Sequence, residues 1–212
     1  MTNRLMFDGI NADAGVIRQH YQLGNLVCFY AAGNSFIWTD AEKAMFPASS
    51  LVSITLTANY INADVLDVET GGATAAQTHD WIAAKRAKGY VRPTIYCNLS
   101  NVAAVRTETR EFILGRDYDI WLADWDDNTI PIYPLAVAKQ YHNAGLYDMS
   151  VVYDGLWPRR TPAIPPPPAF KTAVSPQQTF TNVPEMADHL VMNAYAIVNG
   201  LRVPLTTWRV PC

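Results

Sequence analysis

The sequence has no apolar run approaching the ~20 residues of a membrane-crossing helix, which argues against a membrane partner. It has no cluster of Lys or Arg, and its formal net charge is only −3. A nucleic acid, held mainly by neutralised phosphates, is therefore not an expected partner. The amino terminus, MTNRLMFDGINADAG, lacks a basic stretch followed by an apolar core, so no secretory signal peptide is expected. Cysteine is scarce: Cys28, Cys97 and Cys212 have no close spacing, which supplies neither a disulfide framework nor a zinc site. Cys28 and Cys97 lie in the apolar runs LVCFY and PTIYCN, where a thiol reads as a small buried hydrophobe. His20, His79, His142 and His189 are scattered without metal-ligand spacing, so no metal or cofactor is expected.

What the chain does have is core. Half of its 212 residues are apolar and 17% are charged, the balance of a folded globular protein with one sizeable core. Proline punctuates it at one place. The run TPAIPPPPAF, residues 161–170, cannot donate to helix or sheet ladders and favours an extended spacer. The organisation expected is a main domain over 1–160, a Pro-rich linker over 161–170 and a small attachment module over 171–212. In that module Asn199-Gly200 between two apolar runs signals a β-hairpin, and Pro184-Glu185 is suited to opening a short helix.

Eight short runs in the main domain read as strands: Arg4 to Phe7, Leu26 to Ala31, Leu51 to Ala58, Asp64 to Val68, Pro93 to Cys97, Asp119 to Ala123, Val137 to Tyr141 and Val151 to Tyr153. Several are apolar on both faces, as covered parallel strands are. Helix signals fall between them. Thr39-Asp40-Ala41-Glu42 and Thr74-Ala75-Ala76-Gln77 are capping-box patterns, the second opening a helix that ends at Gly89. Ser100 or Asn101 is placed to cap a helix through Arg106, and Asn11 to Tyr21 is a further helical segment. Alternating strands and helices give an α/β fold, and eight strands give a trimmed (β/α)8 TIM-like barrel, since the later connections are too short for full helices.

The chemistry-bearing segment is Val65-Leu66-Asp67-Val68-Glu69-Thr70. Strand side chains alternate, so Asp67 and Glu69 share a face, and at the carboxyl end of a barrel strand that face is the mouth. Two adjacent carboxylates repel, raising one pKa, which suits glycosidase chemistry with one protonated acid and one ionised partner. Asp8 follows the first strand and Asp154 the last, so closure of the barrel should bring them to the same mouth. Asp148 competes with Asp154 for this position; Val151-Val152-Tyr153, as the strand before it, favours Asp154.

Phe7-Asp8-Gly9, Leu66-Asp67-Val68-Glu69, Pro93-Thr94-Ile95-Tyr96, Trp121-Leu122-Ala123-Asp124-Trp125, Lys139-Gln140-Tyr141 and Tyr153-Asp154-Gly155 occur in an order that resembles the family 25 glycoside hydrolases, the lysozyme-type muramidases. The trimmed form looks like domains found in actinobacteria and their phages. The resemblance covers residues 4 to 158 and implies Glu69 as general acid, Asp67 as supporting carboxylate, and Asp8 and Asp154 as groups that orient the sugar or stabilise the intermediate. Tyr96, Asp124, Trp125, Gln140, Tyr141 and His142 become substrate-contact candidates, with Trp121 more suited to the core. The implied partner is bacterial cell-wall glycan. The implied setting is a virion or infected host cytoplasm, with residues 171–212 contacting other virion proteins. Two departures stand out: Thr57-Ala58-Asn59 where the family has Tyr-His-aromatic, and Lys139 where it has Trp. A phage structural protein that uses the barrel as an inactive scaffold or wall-sugar-binding module is the alternative reading.

Overall fold

The computed structural model describes residues 3–131 and 133–159, and the backbone of 189–198 and 201–211. Its main body is a closed eight-stranded barrel, an α/β fold. In chain order the elements are β1 (Arg4–Asp8), α1 (Ala14–His20), β2 (Leu26–Ala32), α2 (Asp40–Lys43), β3 (Leu51–Thr55), β4 (Val65–Val68), α3 (Thr78–Ala87), β5 (Thr94–Asn98), α4 (Val102–Glu108), β6 (Asp119–Ala123), β7 (Ala136–Asn143) and β8 (Asp148–Val152). Strands β1 to β7 pair in parallel succession, and β8 closes the ring antiparallel to both β7 and β1.

The helix signals act locally. At α2, Thr39 Oγ1 accepts the Glu42 N–H at 3.4 Å while Glu42 Oε2 accepts the Thr39 N–H at 2.6 Å. Gly89, at φ 91°, adopts the left-handed conformation that ends α3 without a Cβ penalty. The cap before α4 differs from expectation: Asn98 Oδ1, rather than Ser100 or Asn101, receives the Asn101 N–H at 3.0 Å. No described helix lies between β6 and β7, and β7 reaches β8 through the turn around Gly145, itself at φ 91°. The barrel is trimmed where the connections are short.

Strand alternation divides the core. Met6, Leu26, Cys28, Val52, Ile54, Val65, Tyr96, Trp121, Ala138 and Val152 pack together inside the barrel, with contributions from every strand. The neighbouring positions Leu66, Val68, Ile95, Cys97, Ile120 and Leu122 point outward, under Trp81, Ile82, Val102 and Val105 of α3 and α4. A third cluster seats Ala14 and Ile17 of α1 on Phe7 and Val27. Cys28 and Cys97 are buried free thiols, as expected. No described helix is long and apolar enough to cross a membrane.

Trp157 closes the barrel's lower end. It is 1% exposed, its ring lies 6.2 Å from that of Trp121, and its indole N–H donates to Thr94 Oγ1 at 2.8 Å. The Arg4 guanidinium donates to the Trp157 carbonyl and, at 3.4 Å, to that of Asp154. The chain divides into two units, Met1–Pro168 and Ala169–Cys212. In the second, β9 (His189–Val198) and β10 (Leu201–Pro211) form an antiparallel pair. The Pro-rich run, Asn199-Gly200 and Pro184-Glu185 lie outside the described residues.

Candidate active site

Seven parallel strands deliver their carboxyl ends to one mouth, and what stands there follows from register. Asp67 sits on β4 two positions after the inward-facing Val65 and is 3% exposed. Glu69 lies just beyond the strand, half-buried. Asp8 ends β1, and its cross-strand partner on β8 is Asp148. A cavity of about 140 Å³ opens among Asp8, Cys28, Tyr30, Ile54, Glu69, Tyr96, Trp121, Trp125, Gln140 and Asp148. Beside it runs a wider cleft of about 400 Å³, lined by Glu69, Asn98, Leu99, Ser100, Ala123, Asp124 and Trp125. Glu69 and Trp125 border both spaces, so Glu69 stands where an inner chamber meets an open groove.

The expectation for Asp154 is not met. It follows the last strand, but that strand is antiparallel, because a turn rather than a crossover joins it to β7. The register pairs Arg4 with Val152 and Asp8 with Asp148. Asp154 therefore lies near the Arg4 end of β1, about 13 Å from the mouth at ~3.3 Å per residue. There its carboxylate pairs with Arg159 at 2.8 Å and accepts the Leu156 N–H at 2.9 Å. These bonds, against the upward push of partial burial, hold it below the usual carboxylate range. Asp148, at the start of β8, occupies the place assigned to Asp154.

Electrostatics at the mouth run one way. Burial and the Glu69 charge push Asp67 up to about 8. Burial pushes Asp148 up to about 6, with His142 pulling the other way. Burial raises Glu69, with the Tyr96 hydroxyl opposing and Asp148 adding to the rise. Asp8 is raised well above the carboxylate range by burial and by Asp148, although the Gln140 amide lowers it in part. No Lys or Arg is among the residues lining either space, and all four carboxyl groups are raised above the ordinary carboxylate range, Asp67 further than Asp148, at about 8 against about 6. Such a group can donate a proton to a leaving oxygen.

The other candidates divide. Trp125 is 59% exposed and presents its ring at the groove. Tyr96, 5% exposed, lines the inner cavity rather than an open sugar platform. Asp124 borders the groove but is held at 3.2 Å by Lys139, which also reaches Asp126 at 2.7 Å. Lys139 is 1% exposed and anchors the segment after β6. Gln140 is buried at the centre of the mouth. Tyr141 and His142 line neither space; His142 Nδ1 instead meets Asp127 at 2.6 Å on the rim. Trp121 is core, as expected, with its indole N–H donated to Ser150 Oγ at 3.1 Å. No group of His, Cys, Asp and Glu among the described residues is arranged to hold a metal ion.

Sequence reasoning had not singled out Cys28, Tyr30, Asn98 or Ser100 for the site. For Asp148 a signal existed: Asn143-Ala144-Gly145 between two apolar runs is a hairpin turn, and a hairpin reverses the last strand.

No protein-family model and no curated protein matches the sequence. Among solved structures, the chain is similar to the CTP1L endolysin, whose activity is regulated by a secondary translation product. That likeness has 15% identity and a TM-score of 0.42, covering 71% of this chain and 67% of the endolysin. It is also similar to a Tat-secreted protein of Mycobacterium tuberculosis solved with L-tartrate, at 14% identity and a TM-score of 0.36, covering 71% of this chain and 96% of the other.

Proposed function

We propose that the chain is a peptidoglycan-directed glycoside hydrolase of the muramidase type. The observation that carries this reading is the meeting of Glu69, Asp8 and Asp148 around one cavity that opens, past Glu69, onto a groove bordered by the exposed Trp125. Glu69 is the general acid: of the two β4 carboxyls it is the one that reaches both spaces, whereas Asp67 is 3% exposed. In the reaction Glu69 gives its proton to the glycosidic oxygen as the C–O bond breaks. The oxocarbenium-like centre is stabilised by Asp8 and Asp148 or by the substrate's own acetamido oxygen; water then adds to the anomeric carbon and gives its proton to the Glu69 carboxylate, which restores the acid. Asp67, protonated near neutral pH, keeps a second negative charge away from Glu69. A pyranose ring stacking on Trp125 sets the register of the glycan.

The proposed setting is the bacterial wall, reached on a phage particle or after lysis, with residues 171–212 as the attachment segment. This setting is supported by the polyproline run between the barrel and β9, together with the resemblance of the sequence to trimmed phage and actinobacterial domains. The test is a zymogram on bacterial wall material with wild type and Glu69→Gln side by side. A clear zone for wild type and none for the variant is expected. Equal clearing by both, or by neither, rejects the assignment.

A further inference from the structure

Gln140 is too buried to meet a substrate, at 2% exposed, and its whole hydrogen-bonding capacity is spent inside the mouth. Oε1 accepts from Tyr96 Oη at 2.7 Å and from Trp125 Nε1 at 2.7 Å. Nε2 donates to the two Asp8 oxygens at 3.0 and 3.3 Å, and to Asp148 Oδ2 at 3.4 Å. An indole N–H can only donate, so Trp125 dictates which end of the amide faces it. The amide N–H groups are thereby turned toward the carboxyls. Asp8 and Asp148 are direct cross-strand neighbours, and like charges so placed repel. A donor serving both offsets that repulsion, and because it is neutral it leaves the pair able to hold a proton, which an Arg or Lys would expel.

We propose that Gln140 is a positioning residue that locks the exposed Trp125 indole to the Asp8–Asp148 carboxyl pair, so that one side chain sets both the sugar platform and the acids beneath it. The assignment deepens the muramidase reading and rests on it only for activity. The geometry of the bridge stands apart from any substrate. Around the pair, Asp67 and Glu69 bear on Asp8, and Glu69 and His142 interact with Asp148. Tyr30 and Tyr96 feel the Asp8 charge.

The test uses the full chain and its tryptophan fluorescence, with Trp125→Phe subtracted to isolate Trp125, titrated from about pH 4 to about pH 8 across the carboxyl range. In wild type the Trp125 signal follows ionisation of the carboxyl pair. In Gln140→Met, similar in length but unable to bridge, that titration is lost and Trp125 becomes more accessible to acrylamide. If wall hydrolysis is present, its rate falls roughly tenfold to a hundredfold, the loss of a hydrogen bond to a charged group, and its pH profile shifts. A Trp125 titration in Gln140→Met identical to wild type overturns the proposal. Should Gln140→Met fail to fold, Asp148→Asn gives the second reading, since it keeps the amide and removes one titrating partner. An altered Trp125 titration supports the bridge, and an unchanged one overturns it. Absence of wall hydrolysis in wild type would remove the muramidase reading while leaving the titration to decide on Gln140.

Discussion

Asp67→Asn should make the protein more stable at neutral pH, in proportion to the proton the buried carboxyl has to hold. Asp67 is 3% exposed, and its Oδ1 has no hydrogen-bond partner among the described residues. Burial and Glu69 push its pKa up to about 8, against ~3.9 in the unfolded chain. Between those two values the native state binds the extra proton. Stability is therefore greatest below the unfolded value and is lost as pH rises toward the folded one. At pH 7 the loss is at most about 4 kcal/mol, from ~3 pH units at ~1.36 kcal/mol each. An Asn of the same shape never ionises and escapes this cost, although burying an amide with incomplete partners returns about 2 kcal/mol. The net gain of about 2 kcal/mol corresponds to a rise in Tm of about 4–8 °C for a chain of this size. Thermal unfolding followed by circular dichroism at pH 7, repeated near pH 4, measures it. The Tm advantage should be present at pH 7 and shrink in acid. A variant no more stable than wild type at pH 7, or one whose advantage grows in acid, refutes the reasoning.

Four further outcomes follow from the same structure. Asp148→Asn should abolish wall hydrolysis while Asp154→Asn preserves it, because only the first faces the cavity; comparable losses would return Asp154 to the site. Asp154→Asn should instead cost about 1 kcal/mol near pH 7 through its lost Arg159 pairing. Since Asp154 is held below the usual range, that cost is present above the unfolded pKa and disappears as pH falls through the folded one. Trp157→Ala should destabilise by about 3–5 kcal/mol, the cost of emptying a large buried site, and lower Tm by about 10 °C or more; a smaller loss would mean that Trp157 is not the barrel's plug. Trp125→Ala should leave Tm within about 2 °C because the ring is exposed, yet weaken binding to wall glycan about fivefold to tenfold in a pull-down series.

Much of the barrel was legible because its signals are local. Asp119 to Ala123 was delimited to the residue by an apolar run between a charged turn and Asp124, and the Thr39 capping box does what its pattern says. Alternation placed Asp67 and Glu69 on one face of β4 without any knowledge of the rest of the chain. What was not legible depends on direction and distance. The last strand was read from its β-branched core, Val151-Val152-Tyr153, but strand propensity carries no information about which way a strand runs. A crossover would have brought Asp154 to the mouth; the turn at Gly145 brings Asp148 instead. Gln140 was read as a substrate contact from the resemblance of Lys139-Gln140-Tyr141 to the muramidase pattern. Its partners on β1, β5 and β8 are 132, 44 and 8 residues away in the chain, and only closure of the ring reveals that its amide is already fully occupied.

The most direct measurement is the chemistry of the product. Peptidoglycan incubated with the full chain, reduced with borohydride and analysed by mass spectrometry, should contain fragments ending in reduced N-acetylmuramic acid. Glu69→Gln, with an unchanged circular dichroism spectrum, should release none. Fragments ending in reduced N-acetylglucosamine, soluble peptides without new reducing ends, or equal release by the variant would contradict the account.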